Sequence, residues 1–153
     1  MPIAVGQPAP DVALKDQNQQ EVKLSSFRGQ RNVVLVFYPL DWSPVCTNEH
    51  SCFVNDMKEF EKLDAQVLGL SVDSVWSHKA YAEKMGIQYP LLADFHPRGA
   101  AASKFGVYLE EKGITGRAIA IINKAGNVAW FKQYDIPTVP DLKEVAAALA
   151  GVK

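Results

Sequence analysis

The sequence has little cysteine, no strong excess of either charge and no long apolar run. Its 153 residues include two cysteines, Cys46 and Cys52, too few for the disulfide framework of a small secreted protein. No segment approaches the roughly 18 apolar residues of a membrane span, and residues 1–10 lack the basic start and apolar stretch of a signal peptide. A net charge of -1 provides no general attraction to nucleic acid or anionic membranes. We therefore expect a cytoplasmic protein with no nucleic-acid or membrane partner, whose cysteines serve chemistry.

A Cys-x-x-Cys motif and internal repeats are also missing. The absence of the motif argues against a disulfide exchanger of the thioredoxin type. Hydrophobic residues make up 48% of the chain and charged residues 22%, proportions typical of a folded globular protein. We expect residues 1–153 to form a single domain around one core.

Hydrophobic periodicity predicts strands that alternate with helices. The predicted strands are residues 12–14, 21–24, 33–38, 67–72, 117–122 and 128–131. The predicted helices are residues 44–62, 75–85, 97–105 and a final helix between an Asp141 cap and Gly151, and residues 24–27 form one helical turn. Residues 110–116 are polar and bounded by glycine, with no element assigned. The order of these elements favours a thioredoxin-like α/β fold, a mixed central sheet flanked by helices with an added N-terminal β-hairpin.

Residues 33–52 join a buried strand to a helix through a short loop. The strand ends at Pro39 and the helix begins near Ser43 or Pro44, which places Cys46 in the first helical turn. Unpaired backbone N–H groups and the positive end of the helix dipole favour a thiolate over a thiol at such a place. The segment therefore predicts a nucleophilic sulfur.

The same segment carries a family motif. Residues 39–46, PLDWSPVC, fit Pro-x-x-x-Ser/Thr-x-x-Cys, the active-site pattern of the peroxiredoxins, with Ser43 where threonine is more usual. The segments VVLVFYP, VCTNE, SVDS with His78 after it, YPLLAD, and GRAIAIIN with Arg117 follow the family's order. The sequence thus resembles the peroxiredoxins over nearly its whole length. The resemblance is greatest to the one-cysteine bacterial type related to alkyl hydroperoxide reductase E and to bacterioferritin-comigratory proteins.

The resemblance implies a thiol peroxidase that reduces hydrogen peroxide and organic hydroperoxides through a sulfenic acid at Cys46. Arg117 stands where the family carries its active-site arginine, and its charge and forked donors suit both a thiolate and the departing oxygen. Ser43 is expected to donate to a peroxide oxygen, and Pro39 to shield the sulfur from water. The family also implies a homodimer, no cofactor or metal, and an external reductant such as a thioredoxin-, glutaredoxin- or mycothiol-like thiol.

Glu49 and Cys52 each allow two interpretations. Glu49 is either a carboxylate stabilised by the helix N-terminus, which we favour, or a residue that orients Arg117. Cys52 is either a resolving cysteine or a bystander. Six helical residues give a rise of about 9 Å and a rotation of about 120°, beyond the roughly 7 Å Cα separation of a disulfide, so a bond to Cys46 would require unwinding. Related proteins that form such a bond use a five-residue step, and we favour reduction by an external thiol.

Two other functions compete with the peroxidase. Cys46 and His50 share a helical face, as metal ligands do, but Cys52 points elsewhere and a fourth ligand is missing. A redox sensor or partner-binding protein, switched by oxidation of Cys46, is the rival from another class. Sustained peroxide consumption with a thiol reductant distinguishes the enzyme from the sensor. His78 and His96 stand alone in the sequence and are assigned structural or surface places.

Overall fold

The computed structural model of the protein describes residues 2–152. The strands are β1 (Ala13–Lys15), β2 (Glu21–Lys23), β3 (Asn32–Phe37), β4 (Ala65–Ser71), β5 (Leu91–Ala93), β6 (Tyr108–Leu109), β7 (Ile114–Thr115), β8 (Arg117–Ile122) and β9 (Val128–Tyr134). The helices are α1 (Pro44–Lys62), α2 (Val75–Met85), α3 (Ala100–Lys104) and α4 (Leu142–Ala150), and Leu24–Phe27 form a 3₁₀ turn.

A five-stranded sheet in the order β5-β4-β3-β8-β9 forms the centre of the fold. β4 pairs in parallel with both β3 and β5, whereas β8 pairs antiparallel with both β3 and β9. β1 and β2 form a separate antiparallel hairpin near the N-terminus. The mixed sheet and the added hairpin are thus both as predicted, and the parallel pairs belong to the β-α-β-α half of the chain.

Apolar side chains cover both faces of the sheet. In β3, Val34 and Val36 join one cluster, while Val33, Leu35 and Phe37 join the other. Helices α1, α2 and α4 contribute to the first cluster, and α3 with the segment before β1 contributes to the second. Since both faces are buried, β3 is an uninterrupted apolar run after Asn32, which is why its sequence shows no alternation.

The helix ends follow local rules that the sequence already indicates. Ser74 caps α2, since its hydroxyl accepts from the backbone N–H of Ser77 at 3.1 Å. Gly86 ends α2 with a φ of 70°, in the left-handed region that favours glycine. Asp141 caps α4 by accepting from the N–H of Lys143 at 3.0 Å. All of these ends fall where they were predicted.

Gly69 lies in β4 at a point where three side chains close around its Cα. A Cβ added there would lie 2.7 Å from Cδ2 of Leu91 and 3.3 Å from Cε1 of Tyr38. Cε1 of His50, on α1, would be 3.5 Å away. The strand therefore requires a residue without a side chain, and α1 packs close to the sheet as a result.

The third helix is shorter than predicted. It spans Ala100–Lys104 rather than residues 97–105. The Asp94 carboxylate accepts from the backbone N–H groups of Ala101 at 3.0 Å and Ala102 at 2.9 Å, and so caps the helix from a distance. Gly99, directly before the helix, has a φ of 77°, which excludes it from the helix.

The sequence pattern also missed a small hairpin and shortened an edge strand. β7 lies within residues 110–116 and pairs with β6, but two residues per strand are too few to show an alternating pattern. β9 continues to Tyr134 instead of ending at residue 131. Lys132 and Gln133 are exposed there because β9 is an edge strand, and their polarity hid the continuation.

Candidate active site

Cys46 lies at the start of α1, as the sequence predicts. Ser43 is the N-cap residue and Pro44 occupies the first helical position, so Cys46 is in the first turn, with its side chain fully buried. The N–H groups of this turn have no partner inside the helix, and the dipole is positive here. This end of the helix therefore favours a negative charge.

Residues 39–43 form the loop that leads into α1. Pro39 is buried at the end of β3, and Ser43 is half-buried. The Ser43 hydroxyl donates to the carbonyl of Leu40 at 3.1 Å and makes no capping bond to the helix. The Ser43 carbonyl does accept from the N–H of Thr47 at 2.9 Å. The hydroxyl thus lies beside the first turn of α1. A rotation about χ1 of Ser43 would break its hydrogen bond to Leu40.

Arg117 is the first residue of β8, and its side chain reaches the sulfur of Cys46 on α1. Its side chain is 1% exposed, and Nη2 donates to Cys46 Sγ at 3.2 Å although the two residues are 71 positions apart. Nη1 donates to Glu49 Oε1 at 2.5 Å, and Nε donates to the carbonyl of Ile136 at 2.8 Å. Three bonds in three directions hold the guanidinium in one orientation. A fixed positive charge therefore adjoins the buried sulfur.

Glu49 pairs with Arg117 and does not lie in the first turn of α1. The favoured interpretation of Glu49, a carboxylate stabilised by the dipole, is wrong because the first turn of α1 contains no acidic residue. Glu49 lies one turn further on, fully buried and bonded to Arg117. The alternative that the sequence left open, contact with Arg117, is what the structure shows.

Two opposing effects act on the Glu49 carboxyl. Burial raises its pKa from 4.5 to about 7, and the charge and hydrogen bond of Arg117 offset only part of that rise. The second oxygen, Oε2, is buried and has no hydrogen-bond partner in the described structure, which is costly for a carboxylate and acceptable for a protonated acid. Both observations favour a carboxyl that holds a proton up to about neutral pH.

Cys52 lies in the same helix but takes no part in the hydrogen bonds that join Cys46, Arg117 and Glu49. It is half-buried and packs against the apolar cluster that also contains Cys46. Both cysteines are free thiols. The helix between them is continuous, so the geometric objection to an internal disulfide applies to the observed structure as well.

A second set of buried polar residues adjoins the loop, and the sequence does not predict it. Asp41 accepts from the hydroxyl of Tyr38 at 2.6 Å and from that of Ser77 at 2.9 Å, and Nδ1 of His78 lies 2.8 Å from Asp41 Oδ2. His78 is fully buried, which decides between the structural and surface places left open for it. The PLD and SVDS segments marked the region, but no sequence signal joins Asp41 to His78.

His50 is also buried, on the helical face that raised the metal interpretation. Its Nδ1 lies 2.5 Å from the hydroxyl of Tyr89, while its Nε2 has no hydrogen-bond partner among the described residues. Burial lowers the pKa of His50 from 6.5 to about 3, so the ring is neutral at physiological pH.

Asp41, Asp73 and His78 form a candidate cluster for a metal ion within residues 2–152, since one ligand atom from each lies within 4.8 Å of the others. Asp73 Oδ2 already accepts from the N–H of Asp41 and from the hydroxyl of Ser71. The Asp41 oxygens are likewise occupied by donors. We interpret the cluster as a hydrogen-bonded network. Cys46, His50 and Cys52 form no such cluster in the described part of the chain.

Comparison with known proteins places this geometry in a family. The model of the AhpC/TSA family matches residues 5–131. The chain belongs to the AhpC/TSA family. It is 37% identical to alkyl hydroperoxide reductase E of Mycobacterium tuberculosis over 150 residues, which cover 98% of both chains. It is 42% identical to the chloroplastic 2-Cys peroxiredoxin BAS1 of Spinacia oleracea over 132 residues, 80% of this chain and 49% of that one.

Solved structures agree with the AhpC/TSA assignment. Peroxidoxin BcpB from Mycobacterium tuberculosis superposes with a TM-score of 0.87 at 28% identity, over 99% of both chains. The resemblance drawn from the motif and the thioredoxin-like fold are thereby confirmed. This AhpC/TSA protein is a peroxiredoxin, a thiol peroxidase. No helix within residues 2–152 combines the length and the apolar character needed to cross a membrane.

Proposed function

We propose that the protein reduces hydrogen peroxide and organic hydroperoxides with Cys46 as the nucleophile. The observation that carries the proposal is the buried Arg117 guanidinium, whose Nη2 lies 3.2 Å from Cys46 Sγ. A fixed cation and a helix N-terminus together favour the thiolate, which is the reactive form of a cysteine. Because Arg117 is held by Glu49 and by the carbonyl of Ile136, its charge is in place before the substrate arrives.

The reaction has a simple balance of atoms and electrons. The Cys46 thiolate forms a bond to the terminal peroxide oxygen as the O–O bond breaks, and the other oxygen leaves as alkoxide or hydroxide and takes up a proton. The sulfur is oxidised by two electrons to a sulfenic acid, and the peroxide is reduced to alcohol or water. Arg117 stabilises the charge that develops on the leaving oxygen.

Two further residues complete the proposed pocket. The Ser43 hydroxyl donates to a peroxide oxygen after it leaves the Leu40 carbonyl, and the N–H groups of Val45 and Cys46 add donors from the first turn. Pro39, buried beside this turn, keeps bulk water from the thiolate. With these donors and this shielding, the N-terminus of α1 becomes a binding site for a small peroxide.

We propose that an external thiol completes the cycle. Two equivalents of a thioredoxin-, glutaredoxin- or mycothiol-like thiol reduce the sulfenic acid and release a disulfide and water. The continuous helix between Cys46 and Cys52 supports this choice over an internal disulfide. Mass spectrometry after one equivalent of peroxide tests it. A gain of one oxygen, the same in Cys52→Ser, is expected, and a loss of two mass units that requires Cys52 would overturn it.

A homodimer is proposed on the evidence of the exposed aromatic surface. Trp42 is 52% exposed and Trp76 is 65% exposed. The two belong to the same end of the molecule, because Asp41, next to Trp42, bonds to Ser77, next to Trp76. Exposed tryptophans of this kind are typical of protein interfaces. Sedimentation of wild type and Trp76→Glu tests the proposal. A dimer that dissociates in the variant is expected, and a monomeric wild type would contradict it.

The compartment and the domain organisation are further parts of the proposal. Two free cysteines suit a reducing compartment, and we propose the cytoplasm. A single central sheet to which both halves of the chain contribute supports one domain over residues 1–153.

The central experiment measures the rate of peroxide consumption with a thiol reductant, together with single-turnover oxidation of Cys46. Cys46→Ser is expected to abolish both, and Cys52→Ser to retain at least the oxidation step. Arg117→Lys keeps the charge but loses the fork, and a loss of about 100-fold in the rate of oxidation is expected. Arg31→Lys, at an arginine that bonds Gln66 instead, is the matched control. Activity retained by Cys46→Ser would refute the proposal, and one stoichiometric turnover with every reductant would favour the sensor.

A further inference from the structure

A buried polar network lies beside the peroxidatic loop without touching the sulfur. His78 and Tyr38 are fully buried, and Asp41 is 6% exposed. His78 lies in α2, Tyr38 directly follows β3, and Asp41 belongs to the loop itself; the three meet at the Asp41 carboxylate. Buried polar groups are costly unless they are fully paired, so the pairing of this network is informative.

The hydrogen bonds of the network identify several of its donors. The carbonyl of Leu92 accepts only, so Nε2 of His78, at 3.1 Å, donates to it. The hydroxyls of Tyr38 and Ser77 donate to the two oxygens of Asp41. Nδ1 of His78 lies 2.8 Å from the same carboxylate, and this contact also requires a hydrogen. One hydrogen therefore lies between Nδ1 and the carboxyl, and His78 and Asp41 form a buried hydrogen-bonded pair.

This hydrogen-bonded pair is attached to the loop that shapes the pocket. Asp41 is a member of the loop, residues 39–43, and its backbone N–H donates to Asp73 Oδ2 at 2.8 Å. The next residue, Trp42, has a φ of 74°, in the left-handed region that bulky residues rarely adopt. Such a conformation persists only when the surroundings hold it in place. The hydrogen bonds of the preceding residue, Asp41, through both its carboxylate and its backbone N–H, hold the loop in this conformation.

We propose that His78 is a positioning residue for the peroxidase reaction, acting through Asp41 on the loop. The Asp41 carboxylate and N–H fix the middle of the loop, whose two ends are Pro39 and Ser43. These ends form the wall and the hydroxyl donor of the pocket around Cys46. The proposal rests on the proposed function, because it concerns the same pocket, and it adds a residue from α2 that does not contact the reacting atoms.

Two substitutions of His78 separate its two hydrogen bonds. In His78→Asn the side-chain nitrogen stands near the position of Nδ1 and retains a donor to Asp41. In His78→Gln the nitrogen reaches the position of Nε2 and retains the donor to Leu92, while the bond to Asp41 is lost. Both variants remove the ring, so a purely structural role predicts similar losses for the two.

The readout compares two reactions of Cys46. One is single-turnover oxidation by hydrogen peroxide, which depends on the pocket donors. The other is alkylation by iodoacetamide, which requires the thiolate but not those donors. In His78→Gln, oxidation is expected to slow by at least about 10-fold while alkylation changes less than about threefold, since a small displacement of aligned groups is costly. His78→Asn is expected to recover most of the oxidation rate.

Two further variants keep the test decisive if the His78 variants do not fold. Asp41→Asn alters the same hydrogen-bonded pair from the loop side and should reproduce His78→Gln. Ser77→Ala removes a different donor to the same carboxylate but leaves the pair intact, and should behave like wild type. Equal losses in His78→Asn and His78→Gln, or parallel losses of oxidation and alkylation, would overturn the positioning role. Slow oxidation of wild-type Cys46, no faster than that of free cysteine, would instead refute the proposed function.

Discussion

Replacing Glu49 by glutamine removes a buried group whose ionisation opposes folding. Burial, partly offset by Arg117, raises the pKa of this carboxyl from 4.5 to about 7 in the folded protein. Between these values the folded protein retains a proton that the unfolded chain has lost, so stability falls as the pH rises. The contribution of Glu49 is therefore complete below pH 4.5 and is lost as the pH passes about 7.

The size of the effect follows from the two pKa values. A rise from 4.5 to about 7, at about 1.4 kcal/mol for each pKa unit, corresponds to about 3 kcal/mol in the free energy of unfolding. His50 acts in the opposite direction. Burial lowers its pKa from 6.5 to about 3, so its contribution is present above pH 6.5 and is lost as the pH falls toward 3. The two slopes oppose each other in wild type, and only a difference between variants isolates Glu49.

The assay is urea unfolding of wild type and Glu49→Gln in reducing buffer between pH 5 and pH 8.5. The glutamine variant is expected to gain up to about 3 kcal/mol relative to wild type across this range, whatever its offset at pH 5. Glu144→Gln is the control, because Glu144 is a half-exposed carboxylate paired with Lys132, and its difference from wild type should change little. A constant difference between Glu49→Gln and wild type would show that Glu49 is ionised throughout and would refute the reasoning.

Two other predictions concern single positions and use urea unfolding at pH 7. Gly69→Ala should lose about 1–3 kcal/mol, because its Cβ would lie 2.7 Å from Leu91 Cδ2; an unchanged midpoint would show that the leucine moves aside freely. Ser74→Ala should lose about 1 kcal/mol with its capping bond, whereas Ser43→Ala, which removes no capping bond, should lose less. Equal losses from the two serines would contradict the assignment of their caps.

Elements with local start and stop signals could be predicted closely. Helices α1 and α2 have their predicted bounds, because Pro44, Ser74 and Gly86 act on immediate neighbours. The start of α3 could not be predicted, since Asp94 caps it across an intervening turn that ends at Gly99. The β6 and β7 hairpin was missed because a pairing of two-residue strands leaves no periodic trace.

The residues of the site show the same difference between local signals and partners that are distant in the sequence. Cys46 could be identified from its own loop and helix, because the chemistry of a helix N-terminus is local. Its contact with Arg117 crosses 71 residues and was expected only through the family resemblance, not from spacing. The orientation of Glu49 and the pairing of Asp41 with His78 depend on the packing of α1 and α2 against the sheet. Isolated polar residues carry no pattern that reveals such partners.

The complete burial of Cys46 separates the two halves of the catalytic cycle by molecular size. A hydroperoxide group is small, whereas the external thiol that we propose as reductant must bring its own sulfur into line with the oxidised sulfur. With the external thiol that we propose, the sulfur must therefore become accessible before reduction can occur. Until then a second peroxide competes with the thiol for the sulfenic acid, so burial that protects the thiolate from water also favours irreversible oxidation when peroxide is abundant.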